Sequence, residues 1–276
     1  MQDPSKPIWF KEDQPEQNKT QELKPKKFSI FVATPVHGDV SIHYFQACLD
    51  FQKHCIKNNV LVSFQVMKSS LVTHGRNLCV SSFMESSHTH LLFVDSDIEF
   101  QTQSIFKMIA SDKDVISVPY PLKQMFWEKA WERMSKGEIK NAKDLKFKGL
   151  YSYPMKVADD KNIKIKDGIT EVTHSPTGCM LIKREVIEKM IKAYPDTEII
   201  QKTIINGELM NRPYLYNLFD TMYDPVKKAY LGEDFAFCKR WKDIGGKCHA
   251  LITDRITHAG EHQYRGCFAD ELIKTE

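Results

Sequence analysis

The sequence predicts an α/β protein: a mainly parallel sheet flanked by helices, followed by a less regular C-terminal half. Two observations point to it. Short apolar strands alternate with amphipathic helical segments from residue 28 to residue 120, as expected of strands buried on both faces. The 276 residues, 42% of them hydrophobic, suffice for one domain with a substantial core, and no linker divides 28–276.

Residues 1–27 are polar, rich in Lys, Gln and Pro, and read as a partly disordered arm. FSIFVATP (28–35) is a fully apolar strand stopped by Pro35 and Gly38. Tyr44, Cys48, Phe51 and Cys55 then share one face of a helix. VLVSFQV (60–66) is a second strand and RNLCVSSFMESS (76–87) a second helix. HLLFV (90–94) is the third strand, expected at the centre of the sheet, with QSIFKMIA (103–110) as helix and DVISVPY (114–120) as fourth strand. The pattern loosens from 121 to 170 and resumes with CMLI (179–182) and the helix REVIEKMIKA. GEDFAFCKRWKDIGG (232–246) is a helix with acids in its first turn and glycines at its stop, and CHALIT (248–253) is the last strand.

The 39 basic and 36 acidic residues give a net charge of +3, too even to indicate nucleic-acid or anionic-membrane binding. Seven cysteines without a CxxC pair do not form a disulfide framework and fit a reducing compartment. No run has the length of a signal peptide or a membrane span, so the expectation is a soluble, cytoplasmic protein without membrane insertion.

The chemistry centres on Asp95 and Asp97, directly after HLLFV. Ligands of open α/β sheets sit outside the carboxyl ends of the strands. Paired carboxylates there offer oxygen ligands to a hard divalent cation, which commonly bridges phosphates. For an isolated Asp-Ser-Asp a turn or helix cap is the leading account, and it is the matching parts elsewhere in the chain that favour a site.

Four blocks, FSIFVATPVHG, GRNLCVSSFMESSHTHLLFVDSDIEF, SPTGCMLIKREVIEKM and YLGEDFAFCKRWKDIGGKCHALITDRITHAG, resemble GT-A-fold glycosyltransferases. The pattern is that of inverting, family-2-like enzymes of bacterial and viral type, and it covers residues 28 to 265 in order. The resemblance implies transfer of a sugar from a nucleoside-diphosphate sugar to an acceptor hydroxyl with inversion. It implies Asp97 as a direct metal ligand, Asp95 on the ribose or a metal-bound water, Ser96 beside the donor, and His258 as a further ligand, with His262 competing. A carboxylate-and-imidazole set favours manganese (Mn2+), with magnesium second. The resemblance makes Asp234 the base and Glu233 an orienting group, although both acids also suit a helix N-terminus by charge alone. It places Gly178 beneath the donor sugar, where a plain turn glycine also fits.

Beside the resemblance, Thr34 and Pro35 at the end of the first strand would approach the base and ribose. Arg76 and Asn77, opening a helix, would meet a base edge or a phosphate. Tyr120 to Lys123, Phe126, Trp127 and Trp131 line a sugar or acceptor site or else pack as core. UDP-sugars stand ahead of GDP-sugars as donors because they are commoner in that fold, and the acceptor is a glycan, a lipid-linked sugar, a protein or modified DNA. The competing classes are a nucleotidyltransferase or other metal-dependent phosphotransferase, and an inactive nucleotide-sugar-binding module of the same fold. A nucleotidyltransferase usually opens with a glycine-rich phosphate loop, which this chain lacks.

Overall fold

The computed structural model describes residues 28–145, 150–200, 202–205 and 207–261. The arm expected over 1–27 and the competing ligand His262 lie outside the described residues. The first half alternates β1 (Ser29–Val36), α1 (Ile42–Lys57), β2 (Leu61–Lys68), α2 (Val72–Glu85), β3 (His90–Val94), a two-residue β4 (Ile98–Glu99), α3 (Thr102–Ala110) and β5 (Val115–Ser117). Next come α4 (Trp127–Ser135), α5 (Ala142–Asp144), β6 (Lys156–Val157), β7 (Ile169–His174), β8 (Cys179–Lys183) and α6 (Arg184–Ala193). The remainder holds two small hairpins, β9 (Thr203–Ile205) with β10 (Glu208–Met210) and β11 (Met222–Asp224) with β12 (Ala229–Leu231), then α7 (Glu233–Asp243), β13 (Cys248–Leu251) and β14 (Thr257–His258).

Eight strands form one sheet in the order β2-β1-β3-β8-β5-β13-β7-β6. β1, β2, β3, β5 and β13 run in one direction, while β8 and β7 run against their neighbours. The sheet is therefore mixed and mostly parallel, and β3 is interior, between β1 and β8.

Alternation within the buried strands builds a core on each face. Phe31, Ala33, Leu91 and Phe93 point to one side, where they meet Leu78 and Phe83 of α2, Ile187 of α6 and Phe237 and Trp241 of α7. Ile30, Val32, Leu92 and Val94 point to the other, against Phe51 of α1 and Ile105 and Met108 of α3. Tyr44, Cys48, Phe51 and Cys55 are all buried, as their spacing requires. Helices on both faces leave the strand ends as the place where polar groups can gather.

Two boundaries and one strand direction stand out against the expected ones. α2 starts at Val72, its N-cap Leu71 offering no side-chain hydrogen bond, so no capping residue marked the start. β5 stops at Ser117 because Pro119 and Pro121 cannot donate to a ladder. β8 is a strand as expected but antiparallel to both neighbours. No helix among the described residues is long and apolar enough to cross a membrane, and the six described cysteines are free and buried.

Candidate functional site

The reversal of β8 makes the site. Running against β3, β8 begins where β3 ends, so the Asp95 amide donates to the Gly178 carbonyl at 3.0 Å. A Cβ on Gly178 would stand 2.4 Å from Cε1 of Tyr120 and 2.9 Å from Oδ2 of Asp95. Only glycine lets the backbone lie this close to the aspartate.

Arg76, on the second turn of α2, is 2% exposed. Its Nη2 reaches Asp95 Oδ1 at 3.0 Å and its Nε reaches Glu233 Oε1 at 3.3 Å, so one guanidinium joins the two acidic motifs. It also lies over the Phe93 ring, 5.4 Å from the centroid. Burial alone would lower its pKa, but Asp95 and Glu233 hold it above its ordinary value. In this structure Arg76 spends Nη2 and Nε on these carboxylates, and its Nη1 is buried without a hydrogen-bond partner. Thr177 Oγ1, one residue before Gly178, is likewise buried and unpartnered.

Asp97 sits in a second arrangement. β14 pairs antiparallel with β4, His258 opposite Ile98, and this ribbon carries His258 back to the aspartates. His258 Nδ1 lies 2.8 Å from the Pro121 carbonyl, an acceptor only, so Nδ1 is the protonated nitrogen. Nε2 then faces Asp97 Oδ2 at 3.5 Å. In neutral imidazole that is a lone pair against a carboxylate oxygen, a pair that a cation bridges. At present the ammonium of Lys123 lies 2.5 Å from the same Oδ2. The lysine stem runs across Gly260, where a Cβ would come within 2.7 Å of its Cδ. Burial would raise the Asp97 carboxyl, yet His258, when Nε2 also carries a proton and donates it, and the Lys123 ammonium bring it down to about 2.

Asp234 has the opposite environment. In the first turn of α7, its Oδ1 accepts the Phe235 amide at 2.7 Å. Burial, then the neighbouring charge of Glu233, push its carboxyl up to about 6. Asp95, Glu233 and Asp234 all bear on the partly buried Tyr120 phenol, raised well above its ordinary value by desolvation first and Asp95 next. The Tyr120 ring packs edge-on against His258, 4.7 Å between centroids, and so links the two halves of the site.

The structure thus gathers Arg76, Asp95, Asp97, Gly178, Glu233, Asp234 and His258. It does not bring all three expected metal ligands together: Asp97 and His258 adjoin, while Asp95 is turned to Arg76. Among the described residues no group of three or more His, Cys, Asp or Glu side chains is placed to hold a metal ion. The two that adjoin still suit one. They offer one oxygen and one nitrogen donor, and among the described residues the four carboxylates of the cluster face two fixed cations, Arg76 and Lys123.

Thr34 and Asn77 spend their polar atoms inside the protein. Thr34, 0% exposed, bonds the Tyr44 hydroxyl at 2.7 Å. Asn77 donates to Asn217 Oδ1 at 2.9 Å and accepts the Phe219 amide at 3.0 Å, which fixes that loop. Pro35 is buried at the end of β1, and Ser96 holds the α1 entry through its carbonyl, which accepts the Ser41 amide at 2.8 Å. Lys123 was named only within a segment lining a sugar site, and its role as partner of Asp97 had no local sequence signal beyond its place after two strand-breaking prolines.

No family model matches the chain, and no curated protein matches its sequence. Solved structures are similar to it. A197 from STIV has 19% identity, covering 85% of this chain and 87% of that one, with a TM-score of 0.45. A glycosyltransferase involved in glycosylation of the major capsid of PBCV-1 has 10% identity, covering 61% and 66%, with a TM-score of 0.31. A UDP-glucose pyrophosphorylase complexed with UDP-glucose has 9% identity, covering 82% and 90%, with a TM-score of 0.38.

Proposed function

We infer that this chain is an inverting glycosyltransferase of GT-A type that moves a sugar from a nucleoside-diphosphate sugar, UDP-linked ahead of GDP-linked, to an acceptor hydroxyl. The observation that carries the reading is the divergence of two acids, one just after β3 and one opening α7: Asp97 is held down to about 2 beside His258 and Lys123, and Asp234 is pushed up to about 6 by burial and Glu233. Carboxyl groups driven apart in this way take different roles. A carboxyl near 6 is ionised at neutral pH and still basic enough to accept a proton. One near 2 stays anionic and suits a cation.

In this reading Asp234 takes the proton of the acceptor hydroxyl as its oxygen attacks the anomeric carbon. The bond from that carbon to the diphosphate oxygen breaks with its electron pair leaving on the diphosphate, and the centre inverts. Arg76 keeps Glu233 and Asp95 at fixed positions on either side, and Gly178, by presenting backbone alone, lets Tyr120 and Asp95 close over it. Asp97 and His258 would hold a divalent ion, manganese for preference, which would supply positive charge to the departing diphosphate.

The test is a panel of nucleotide sugars and nucleoside triphosphates incubated with manganese, watched for slow donor hydrolysis. Free nucleoside diphosphate and an inverted sugar, read by proton NMR, are expected. Release of pyrophosphate from a triphosphate would instead make the protein a nucleotidyltransferase, and retention of the anomeric configuration would remove the single-displacement mechanism.

A further inference from the structure

A cleft of about 950 Å3 opens beside the Asp97–His258 pair, and Lys123 and His258 belong to its wall. Trp127, Tyr151 and Tyr153 line it. Trp127 is 57% exposed and Tyr153 48%, so these rings are not filling a core. Their positions are nevertheless fixed. The Leu122 amide donates to the Ser152 carbonyl at 2.8 Å and the Phe126 amide to the Leu150 carbonyl at 2.9 Å, which clamps the segment leading into α4 against the segment carrying the tyrosines. Lys129 of α4 adds a bond to the Tyr151 carbonyl at 3.0 Å.

The remaining lining indicates what such a cleft accepts. Gln101 and Gln124 contribute exposed amides, able to donate and accept. Among the described lining residues Lys123 and Arg255 are balanced by Asp254 and Glu261, so these offer no excess of positive charge to a polyanion or an anionic lipid. Rigid exposed aromatic faces, uncharged hydrogen-bonding groups and neutral balance match a pyranose, whose ring offers an apolar C–H face and a rim of hydroxyls.

We propose that this cleft binds a neutral glycan, and that the glycan is the acceptor. The word acceptor rests on the transferase reading, whereas the binding does not. A sugar chain stacked on Trp127 and Tyr153 ends at the pair on Asp97, beside the reacting groups.

The experiment is saturation-transfer NMR of the protein with neutral trisaccharides of glucose, galactose, mannose and N-acetylglucosamine. A mixed-sequence DNA oligonucleotide and vesicles of phosphatidylcholine with phosphatidylglycerol form the other arms. A separate thermal-shift series with UDP or GDP and manganese reports donor binding. At least one trisaccharide should bind, and Trp127→Ala and Tyr153→Ala should each weaken it roughly tenfold, the equivalent of losing one stacked face. Trp131→Ala, 71% exposed on the same helix but outside the cleft wall, should leave binding unchanged. The proposal falls if no trisaccharide binds, if binding ignores both cleft variants, or if DNA or vesicles bind in a Trp127-dependent way. Donor binding without sugar binding would sink it and leave the transferase reading standing; the reverse would keep the cleft and sink the transferase.

Discussion

Asp234→Asn should make the protein more stable at neutral pH while removing its chemistry. Asparagine keeps an oxygen for the Phe235 amide, which Asp234 now holds at 2.7 Å. It lacks the charge that burial and Glu233 disfavour, and that disfavour is what lifts the carboxyl from 3.8 to about 6. A group whose pKa is raised by folding stabilises the fold fully below its unfolded value and loses that contribution as pH rises through its folded value. The parent therefore carries a cost above pH ~6 that vanishes below pH ~4, with an upper bound of about 3 kcal/mol. For a chain of this size that corresponds to a melting point up to about 8 °C higher in the variant. Urea and thermal melts of both proteins from about pH 4 to about pH 8 measure the gap, which should open as pH rises. Transfer by the variant should fall by about two to four orders of magnitude, and the parent's rate should show an acid limb near pH 6. A stability gap that stays constant across the pH range would refute the account of the Asp234 environment, and near-normal turnover would take the base away from it.

Asp97→Ala should leave nucleoside-diphosphate binding, followed by calorimetry, indifferent to manganese; a surviving manganese response would place the cation elsewhere. Lys123→Met frees the oxygen that the ammonium now occupies, so manganese affinity read by electron paramagnetic resonance should tighten by about threefold to tenfold, the equivalent of one partly exposed ion pair. Weaker binding in that variant would mean that the lysine helps to hold the cation site. Arg76→Met leaves Asp95 and Glu233 without their shared partner and should lower stability by about 3 kcal/mol, near the low end for a broken buried pair because both carboxylates keep some access to water. Denaturant melts within experimental error of the parent would show that the guanidinium contributes nothing net.

Much of the site was legible because its signals are local. Four apolar residues running into Asp95 and Asp97 mark a buried strand and its tip, and Gly232-Glu233-Asp234 mark a helix start. The role of Arg76 was not legible, since its partners stand 19 and 157 positions away and an arginine at a helix start looks the same whether it meets a phosphate or a carboxylate. Lys123 was obscured for a similar reason, its meaning depending on a ribbon formed by residues 257–258. The direction of β8 was hidden too: a strand covered on both faces shows the same apolar run whichever way it points. Tyr151 and Tyr153 lay in the stretch from 121 to 170, where the alternation of strands and helices loosens and no spacing marks a site.

That reversed strand also shapes how the protein comes into being. β3 and β5 do not touch each other; both bond to β8, whose residues 179–183 follow β5 by about sixty positions. A nascent chain that has released β1, β2, β3 and β5 holds two strand edges with nothing between them until β8 emerges. Residues 28–120, which read so cleanly as alternating strands and helices, are for that reason a poor candidate for independent expression. The piece worth cutting out, if any, must reach past Lys183.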